Sequence, residues 1–480
     1  MKRVLGSICL GTLVGACTLA PTYHVPTPPE VPAQFRAVGE WKTAEPMVML
    51  EQHAWWHYFN DARLNQLEER LGNSNQDLKA GVARLNAAQA GARVARSALF
   101  PTVSATPAVT RYGISDNSPN YAPTRARINN DLLLTGNAAY EIDFFGRLQS
   151  GATVAKRQAQ GSAADLATLE LSLHAELATD YFLLRSLDSI QEVLDHTVGE
   201  LEIALRLTHN LVEGGAVAIT DQQRIEGELN VIKAQATENK AVRIQTEHAI
   251  AVLVGAIPAT FSLPAATETV SIEIPVIDAG LPSDLLERRP DVAAAERRVA
   301  AANAAIGVAR AAYFPIFNLN ALAGYESTQR GNWTTAPSQL WAIGPTAALT
   351  LFQGGRHRAQ SQQAHAAYDE QVATYRSTVL HAFQETEDHL SALELLGEEH
   401  QSQTLALRAA EGGLDQALRR YHGGIATYLE VVSSEAAVLS ARLAATQLEA
   451  RRLIVTVGLI KALGGGWKVP KQSSTDQVHR

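Results

Sequence analysis

The sequence has few cysteines, few aromatic residues and no cluster of basic residues. Only two of its 480 residues are cysteine, which excludes a disulfide framework and a cysteine-ligated metal cluster. Aromatic residues make up 6% of the chain and hydrophobic residues of all kinds 46%, a balance that favours long, closely packed helices over bulky cores. The formal net charge is −8, and no basic residues interleave with aromatic ones, so nothing indicates nucleic-acid binding.

The motifs of common enzyme classes are also missing. The chain contains neither a nucleophile elbow nor a Walker phosphate-binding loop. His53 and His57 are four residues apart, as two metal ligands on one helix face would be, but no Glu-rich companion motif accompanies them. We therefore expect a structural role for both, and a packing role for Trp55-Trp56 between them. The sequence predicts a protein that is not an enzyme and that binds no metal or other cofactor.

The N-terminus predicts secretion and a lipid anchor. A basic pair, Lys2-Arg3, precedes a short apolar segment at residues 4–14, which is typical of a signal peptide. The small residues before Cys17 resemble a bacterial lipobox, so we predict cleavage before Cys17 and a covalent lipid on it (S-diacylglycerol and an N-acyl chain such as palmitate). Ordinary leader cleavage beside an incidental cysteine is the alternative. An Asp directly after the lipidated cysteine would favour retention in the inner membrane. Because Thr18 occupies this position, we expect sorting to the outer membrane.

One unusual segment occurs twice in the chain. Asp77–Pro101 aligns with Asp291–Pro315 at an offset of 214, and 12 of the 25 positions are identical. Further along the chain the offset becomes 209, which superposes the Gly-Gly pairs at 214–215 and 423–424. This period is far too long for a solenoid unit. It predicts an internal two-fold repeat, with two copies of one structural plan in a single chain.

The sequence pattern of each copy predicts the same order of elements: helix, strand, loop, strand, helix. Asp61 is a plausible cap for a helix that continues to about Ala98. Pro101 and Pro315 end the helices before them, since proline disfavours helical geometry in the preceding residue. The hydrophobic period then changes to two with one polar face, as in a strand between two environments. The predicted strands cover about 101–114 and 132–146 in the first copy, and about 315–326 and 340–353 in the second.

Proline is absent from two long stretches, at residues 147–212 and 356–421. Each stretch predicts a helix of about 66 residues, or roughly 100 Å at 1.5 Å per residue. Helices of this length cannot be buried in one compact globule, so they must form a coiled-coil-like wall. Each helix ends at a Gly-Gly pair, near 213–220 or 422–429, and a second helix of about 35 residues is predicted to follow.

The number of predicted strands has consequences for assembly. Four strands of membrane-crossing length cannot close a barrel, and open sheet edges are not viable in lipid. Two chains would give eight strands with a filled interior, whereas three chains give twelve and an aqueous lumen. We therefore predict an α+β membrane protein, a trimeric 12-stranded transmembrane β-barrel with four strands per chain, continued by a long α-helical coiled-coil barrel. Such a molecule is a conduit.

The predicted organisation has five segments. A proline-rich stretch at residues 21–32 should run extended as part of a tether. The segments are the signal peptide at 1–16, the lipid-anchored tether at 17–50, the first repeat at 51–265, the second repeat at 266–467 and a polar tail at 468–480.

Several motifs together resemble one protein family. The most specific is Leu281–Pro315, which reads LPSDLLERRPDVAAAERRVAAANAAIGVARAAYFP. The others are Trp55-Trp56 with Phe59 and Asp61, Tyr140–Arg147, Val217–Asp221 and Leu351–Arg356. This pattern is similar to that of the outer-membrane factors, the TolC-like exit ducts of tripartite efflux pumps, and most of all to the lipid-anchored NodT-type branch. The resemblance extends from Cys17 to about Trp467.

The resemblance implies a function and a set of partners. It implies an outer-membrane duct that passes small molecules, such as drugs or toxic compounds, from the periplasm to the outside. The implied partners are two further copies of the chain in a homotrimer, a periplasmic adaptor (membrane fusion) protein, an inner-membrane transporter of the RND type and outer-membrane lipid, with no nucleic acid. Cargo specificity would lie mostly with the transporter.

The resemblance also assigns the Gly-Gly turns to the periplasmic tip of the duct. Gly214, Gly215, Gly423 and Gly424 would contact the adaptor, and the alternative is that they are simple helix C-caps. The candidate residues for a periplasmic gate are Thr220, Asp221, Tyr421, Glu430 and Ser433.

Two positions near the tip depart from the pattern of the family. Ala426 stands where some relatives have a linking Arg, and Ser433 where many have an Asp that faces the lumen. Thr220, Asp221 and Tyr421 match three linking positions. Asp221 could instead be a simple charge at a helix N-terminus, and the same holds for Glu430.

Two other classes of function are open on the residues alone. A secreted, lipid-anchored coiled coil could be a structural protein of the cell envelope that transports nothing. The alternating strands disfavour this interpretation, because a stalk needs no amphipathic sheet. An envelope hydrolase is the third class, but the paired carboxylates on periodic helices supply no catalytic site.

Overall fold

The computed structural model describes residues 18–29, 35, 54–117, 126–265, 275 and 288–466. Several predicted features lie outside these residues: the signal peptide, Cys17 as the predicted lipid acceptor, His53, most of the tether and the polar tail. Part of the most specific family motif, residues 281–287, also lies outside them. Within the described ranges, no helix is both long enough and apolar enough to span a membrane.

Six of the seven α-helices in the described residues occur in equivalent pairs, one member from each repeat. The first helix, α1, has no counterpart among the described residues of the second repeat. The α-helices are α1 (Ala62–Ser74), α2 (Gln76–Ser97), α3 (Arg147–Glu213), α4 (Ile219–Leu253), α5 (Pro290–Ala311), α6 (Arg356–His422) and α7 (Tyr428–Ala462). Both α3 and α6 have 67 residues, and both α4 and α7 have 35.

The first predicted helix is divided in two. Asp61 caps α1 as predicted, because its carboxylate accepts the N–H groups of Arg63 (2.8 Å) and Leu64 (3.0 Å). The chain then leaves helical geometry at Asn75, where ψ is 131°. The Asn75 side chain accepts the N–H of Leu78 and so caps α2. The sequence suggested one continuous helix because the apolar pattern does not change at this residue.

The strands are β1 (Thr102–Gly113), β2 (Ile128–Ile142), β3 (Ile316–Ser327) and β4 (Gln339–Ala348). The bounds of β2 differ from the predicted 132–146, because the Asp143 carboxylate caps α3 by accepting the N–H groups of Arg147 (2.7 Å) and Gln149 (2.8 Å). The predicted 340–353 is too long for β4. Ala348 pairs with Ile316, the first residue of β3, so residues beyond Ala348 have no partner strand.

The chain divides into two compact units, and each draws on both repeats. The sheet unit contains residues 84–162 and 294–375 together with the start of the described chain, residues 18–27. The helical unit contains the described parts of 28–83, 163–293 and 376–480. Its main core holds Trp55, Trp56 and Phe59 together with apolar residues of α1, α3 and α4. The packing role predicted for the tryptophan pair is therefore confirmed.

The core of the helical unit contains a buried polar pair that the sequence pattern does not reveal. Glu68 Oε2 lies 2.6 Å from His174 Nδ1, and the Trp56 ring stacks on the imidazole with centroids 4.5 Å apart. Burial raises the pKa of Glu68 well above its ordinary value.

In the sheet unit, an N-terminal strap formed by residues 18–27 packs on α5. The Tyr23 hydroxyl donates to the Glu296 carboxylate, and the Asn303 amide donates to the Pro21 carbonyl at 2.8 Å. The strap backbone passes close to glycine at two positions. A Cβ on Gly307 would lie 2.8 Å from the Cα of Ala20, and a Cβ on Gly146 would lie 2.9 Å from the Cα of Thr18. Residue 18 is therefore seated beside the junction between β2 and α3.

Candidate functional site

The four strands form one antiparallel sheet in the order β1-β2-β3-β4. The two strands of each repeat are neighbours, and the repeats join where β2 pairs with β3. Each strand has at least 10 residues, and about 9–11 residues are needed to cross the hydrocarbon at a tilt. Within the described chain, β1 and β4 each pair along one edge only. The sheet of a single chain is therefore open on both sides.

One face of the sheet is apolar over most of its length. The register places Val109 opposite Leu132, Leu134 opposite Tyr325 and Ala321 opposite Ile343. The apolar members of this face are Val103, Ala105, Pro107 and Val109 from β1; Ile128, Leu132, Leu134, Gly136, Ala138, Tyr140 and Ile142 from β2; Phe317, Leu319, Ala321, Ala323 and Tyr325 from β3; and Trp341, Ile343, Pro345 and Ala347 from β4. Polar residues of the same face, Arg111, Asn130, Ser327 and Gln339, lie at the end where β1 leads to β2 and β3 leads to β4. Val103 is 79% exposed in the single chain and Trp341 77%.

Aromatic residues lie at both ends of this apolar face. Tyr140 and Phe317 lie at one end of the sheet, and Tyr325 and Trp341 at the other. Such aromatic girdles border the apolar band of outer-membrane barrels, because an aromatic ring with a polar edge suits the boundary between lipid and water.

The opposite face is polar along much of its length. Asn137 is central to it and donates its side-chain amide to the hydroxyls of Thr106 (3.2 Å) and Thr135 (3.4 Å). The polar members of this face are Thr102, Ser104, Thr106 and Thr110 from β1; Asn129, Asp131, Thr135, Asn137 and Glu141 from β2; Asn318, Asn320 and Glu326 from β3; and Thr346 from β4. A sheet with one apolar and one polar face is suited to separate lipid from water.

Both Gly-Gly turns have the same backbone geometry. Ala216 N–H donates to Leu211 C=O (2.8 Å), and Ile425 N–H donates to Arg420 C=O (2.9 Å), as in the Schellman motif. The second glycine of each pair supplies the left-handed residue that this motif needs, with φ of 71° at Gly215 and 69° at Gly424. The turns are thus helix C-caps, and adaptor contact stays a prediction beside that role.

The backbone conformation does not require glycine at the first position of each pair. Gly214 and Gly423 have no positive φ, and both are exposed. A Cβ on Gly214 would come within 3.4 Å of the Asn210 carbonyl, and one on Gly423 within 3.3 Å of the Arg419 carbonyl. Alanine therefore fits with a small adjustment at either position. A close contact from another molecule would be a separate reason for the absence of a side chain.

The predicted gate residues are distributed over both turns. Thr220 and Asp221 are the second and third residues of α4, Thr220 exposed and Asp221 half-buried. Tyr421 is near the end of α6, and its ring contacts the Tyr428 ring with centroids 5.1 Å apart. Among the residues that the structure describes, no hydrogen bond joins Tyr421 to Asp221. The link between them stays a prediction.

Glu430 is fixed by its own turn. Its carboxylate accepts from the Arg420 guanidinium at 2.7 Å, across the turn between α6 and α7. Its backbone carbonyl accepts the hydroxyls of Ser433 (3.0 Å) and Ser434 (2.8 Å). The sequence analysis did not identify Arg420, although two helices joined by a tight turn place residues just before and just after the turn side by side.

A second acidic residue near this turn was also missed. Burial, and then the charge of Glu200, raise the pKa of Glu435 to about 7. Burial raises the pKa of the neighbouring Tyr428 as well, and the Glu435 charge adds to that effect. The sequence gives no sign of this cluster, because Glu435 reads as one of many solvated helix charges.

In the described ranges, no group of three or more His, Cys, Asp and Glu side chains is placed to hold a metal ion. His57 has an exposed side chain, and its ring lies edge-on to that of Trp56 with centroids 6.1 Å apart.

Comparison with known proteins assigns the family. The pattern of the family described as outer membrane efflux protein matches residues 67–256 and 281–465. The pyoverdine export outer membrane protein OpmQ of Pseudomonas aeruginosa is 32% identical over 98% of this chain and 98% of its own length. The antibiotic efflux pump outer membrane protein ArpC of Pseudomonas putida is 30% identical over 97% of this chain and 96% of its own.

A solved structure agrees with these relatives. The outer-membrane channel OprN superposes with a TM-score of 0.85 at 29% identity, covering 95% of this chain and 100% of that one. The fold is thus that of TolC-like outer-membrane channels, as predicted. With the two-faced sheet and the paired tip turns, these matches show that the chain belongs to the outer membrane efflux protein family and is an outer-membrane exit duct of an efflux pump.

Proposed function

We propose that three copies of the chain close their sheets into one 12-stranded barrel in the outer membrane. The observation that carries this proposal is the two-faced sheet with its unpaired edges at β1 and β4. Unpaired backbone groups cost several kcal/mol each in hydrocarbon, so the edges must be paired with other copies. Pairing β1 of one copy with β4 of the next turns every apolar face toward lipid and every polar face toward the lumen.

The cargo in this proposal is small molecules such as drugs and other toxic compounds. The names of the relatives support this class, since OpmQ is named for pyoverdine export and ArpC for antibiotic efflux. The duct receives cargo from an inner-membrane transporter of the RND type through a periplasmic adaptor. The exposed first glycines, Gly214 and Gly423, support adaptor contact at the tip, because neither is required by the turn geometry. The duct has no catalytic function of its own.

A lipid on Cys17 completes the proposed attachment to the outer membrane. Support comes from Thr18, which is seated beside Gly146 where β2 gives way to α3. An acyl chain on the preceding residue would thus start from one end of the membrane-crossing sheet. Cys17→Ser should abolish labelling by a palmitate analogue while trimers still form, and a fully labelled variant would refute this assignment.

The trimer is tested by cross-linking the proposed β1–β4 seam. Thr106→Cys in β1 is combined with single cysteines at successive polar-face positions of β4, such as Gly344 and Thr346. Oxidation should give covalent dimers and trimers for the variants in register, whereas Thr106→Cys alone should give no trimer. Single-channel conductance of the purified protein in planar bilayers and drug susceptibility of a deletion strain then test transport. A stable monomer without cross-links or conductance would overturn the proposal.

A further inference from the structure

The helical unit contains an open cleft that transport does not explain. It has a volume of about 370 Å³ and lies between α1 and the segment that follows α4. The polar and aromatic side chains that line it are Arg63, Gln66, Arg70, Thr260, Phe261 and Ser262. No acidic side chain from the described part of the chain lines it.

Two arginines give the cleft its charge. Arg63 and Arg70 are seven residues apart, two turns of α1, so they lie on the same side of the helix. In the described residues, neither guanidinium forms an ion pair with a carboxylate. Arg63 is in the first turn of α1, where the helix dipole disfavours a cation, so helix stability does not explain its charge.

The arrangement of Arg70 leaves its hydrogen-bond donors available. Its guanidinium carbon lies 5.6 Å from the centroid of the Phe261 ring. The aromatic ring attracts the cation but carries no opposite charge, and in the described residues the Arg70 guanidinium forms no hydrogen bond that would occupy its N–H groups. Phe261 thus holds Arg70 in place without neutralising it.

The wall opposite α1 is fixed by three charged side chains. The Glu247 carboxylate accepts the backbone N–H of Leu263, and Arg243 donates to the Leu263 carbonyl at 2.7 Å. Arg185 donates to the next carbonyl, that of Pro264, at 3.0 Å. Because this segment is held at successive backbone groups, a ligand in the cleft need not order it, which favours binding.

We propose that this cleft binds a carboxylate group carried on a short aliphatic body. Arg63 and Arg70 offer planar N–H forks, which match the two oxygens of a carboxylate. The Ser262 hydroxyl and the Gln66 amide supply further donors, and Leu67 and Phe261 supply an apolar surface. Both a free organic acid and an acidic side chain of a peptide present this group.

The test uses the purified full-length protein in detergent and isothermal titration calorimetry. The probes are glutarate, the peptide acetyl-Ala-Glu-Ala-amide and its neutral counterpart with Gln in place of Glu. We expect the acidic probes to bind and the neutral peptide to bind at least tenfold more weakly. Arg63→Gln and Arg70→Gln should each weaken binding about tenfold, a loss of about 1.4 kcal/mol. Arg70→Lys should weaken it severalfold, because it keeps the charge but loses the fork.

Arg93→Gln is the matched control, since Arg93 is an exposed arginine of α2 outside the cleft. It should bind the probes as the unmodified protein does, and unchanged circular dichroism should show that all variants fold. Preference for glutarate would identify a free acid as the source, and preference for the peptide an acidic peptide. Equal binding of the neutral peptide, or unchanged binding by Arg63→Gln/Arg70→Gln, would overturn the proposal. The proposal would also be overturned if the acidic probes bound only to the double variant Glu268→Gln/Glu273→Gln. The cleft would then be a binding site for these acidic residues of the chain itself.

Discussion

At the scale of single residues, the two positions of each Gly-Gly turn are glycine for different physical reasons. Gly215 and Gly424 have φ near 70°, a conformation that costs an L-residue about 1 kcal/mol or more. Gly214 and Gly423 have no such constraint, and their exposure favours a contact outside the chain. Gly215 and Gly424 are thus required by the turn conformation, whereas Gly214 and Gly423 are available for contact with another protein.

This difference leads to a prediction with a built-in control. Gly424→Ala should destabilise the turn by about 1 kcal/mol, because alanine resists the left-handed region. Gly423→Ala should leave stability nearly unchanged and yet weaken efflux when the pump is assembled, because a methyl group would stand where the adaptor approaches. Thermal denaturation and drug susceptibility at equal trimer levels measure the two effects. If Gly423→Ala and Gly214→Ala together leave efflux unchanged, the first glycines are not adaptor contacts.

Glu435 makes the stability of the helical unit depend on pH. Its pKa is raised from 4.5 to about 7, so the folded state holds the proton more tightly than the unfolded state. The resulting stabilisation is fully present below pH 4.5 and is lost as the pH rises through about 7. Glu435→Gln cannot lose a proton, so its stability relative to the unmodified protein should increase between pH 5 and pH 8.

Thermal denaturation at several pH values measures this difference. Glu200→Gln is the second arm, because removing that neighbouring charge should move the loss of stability to lower pH. Parallel pH profiles for the unmodified protein and Glu435→Gln would contradict the interpretation.

At the scale of elements, the N-terminal strap breaks the symmetry of the repeats. It packs on α5 of the second repeat, where Gly307 admits the strap backbone. The equivalent residue of α2 in the first repeat is Arg93, which would obstruct such an approach. The duplicated helices therefore differ where one of them carries the strap.

We expect Gly307→Val to displace the strap, because a Cβ there would lie 2.6 Å from the Cβ of Ala20. Maleimide labelling of Leu19→Cys, a half-buried position, should accelerate severalfold in this background. Gly91→Val is the matched control, since a Cβ at Gly91 of α2 meets nothing within 4 Å. Equal acceleration in both backgrounds would mean that β-branching in a helix, and not the strap contact, is responsible.

The elements also show how far the sequence could be interpreted. Absence of proline predicted α3 and α6, and alternation with flanking prolines predicted β1 and β3, because these signals are local. The ends of β2 and β4 depend on Asp143 capping α3 and on where β3 begins, which are contacts between elements. The division at Asn75 depends on its side-chain bonds to Leu78 and to the carbonyl of Leu253, 178 residues away. No local pattern encodes such a partner.

At the scale of the whole molecule, we expect the proposed gate to depend on contacts that join different turns. Within one chain, Tyr421 contacts Tyr428 and Glu430 pairs with Arg420, so each turn is stabilised by its own residues. The Arg420–Glu430 pair is exposed, and such pairs are worth between about 0 and 1 kcal/mol. This ion pair therefore contributes to the conformation of its own turn and is too weak to hold a pore closed. A link from Tyr421 to Asp221, by contrast, would join the turns of the two repeats.

We therefore expect Asp221→Ala with Tyr421→Phe to raise single-channel conductance and to make cells more permeable to large antibiotics. A tyrosine hydroxyl that donates to a carboxylate forms a charge-assisted bond, which is stronger than a neutral one. Trimer symmetry would repeat each link three times, so removing it should widen the resting tip. Efflux should survive, because tip-closing contacts are not needed once an adaptor has docked. Arg420→Gln is the control, since it breaks an ion pair internal to one turn and should leave conductance unchanged. If the double variant conducts like the unmodified trimer at equal trimer levels, other residues hold this gate closed.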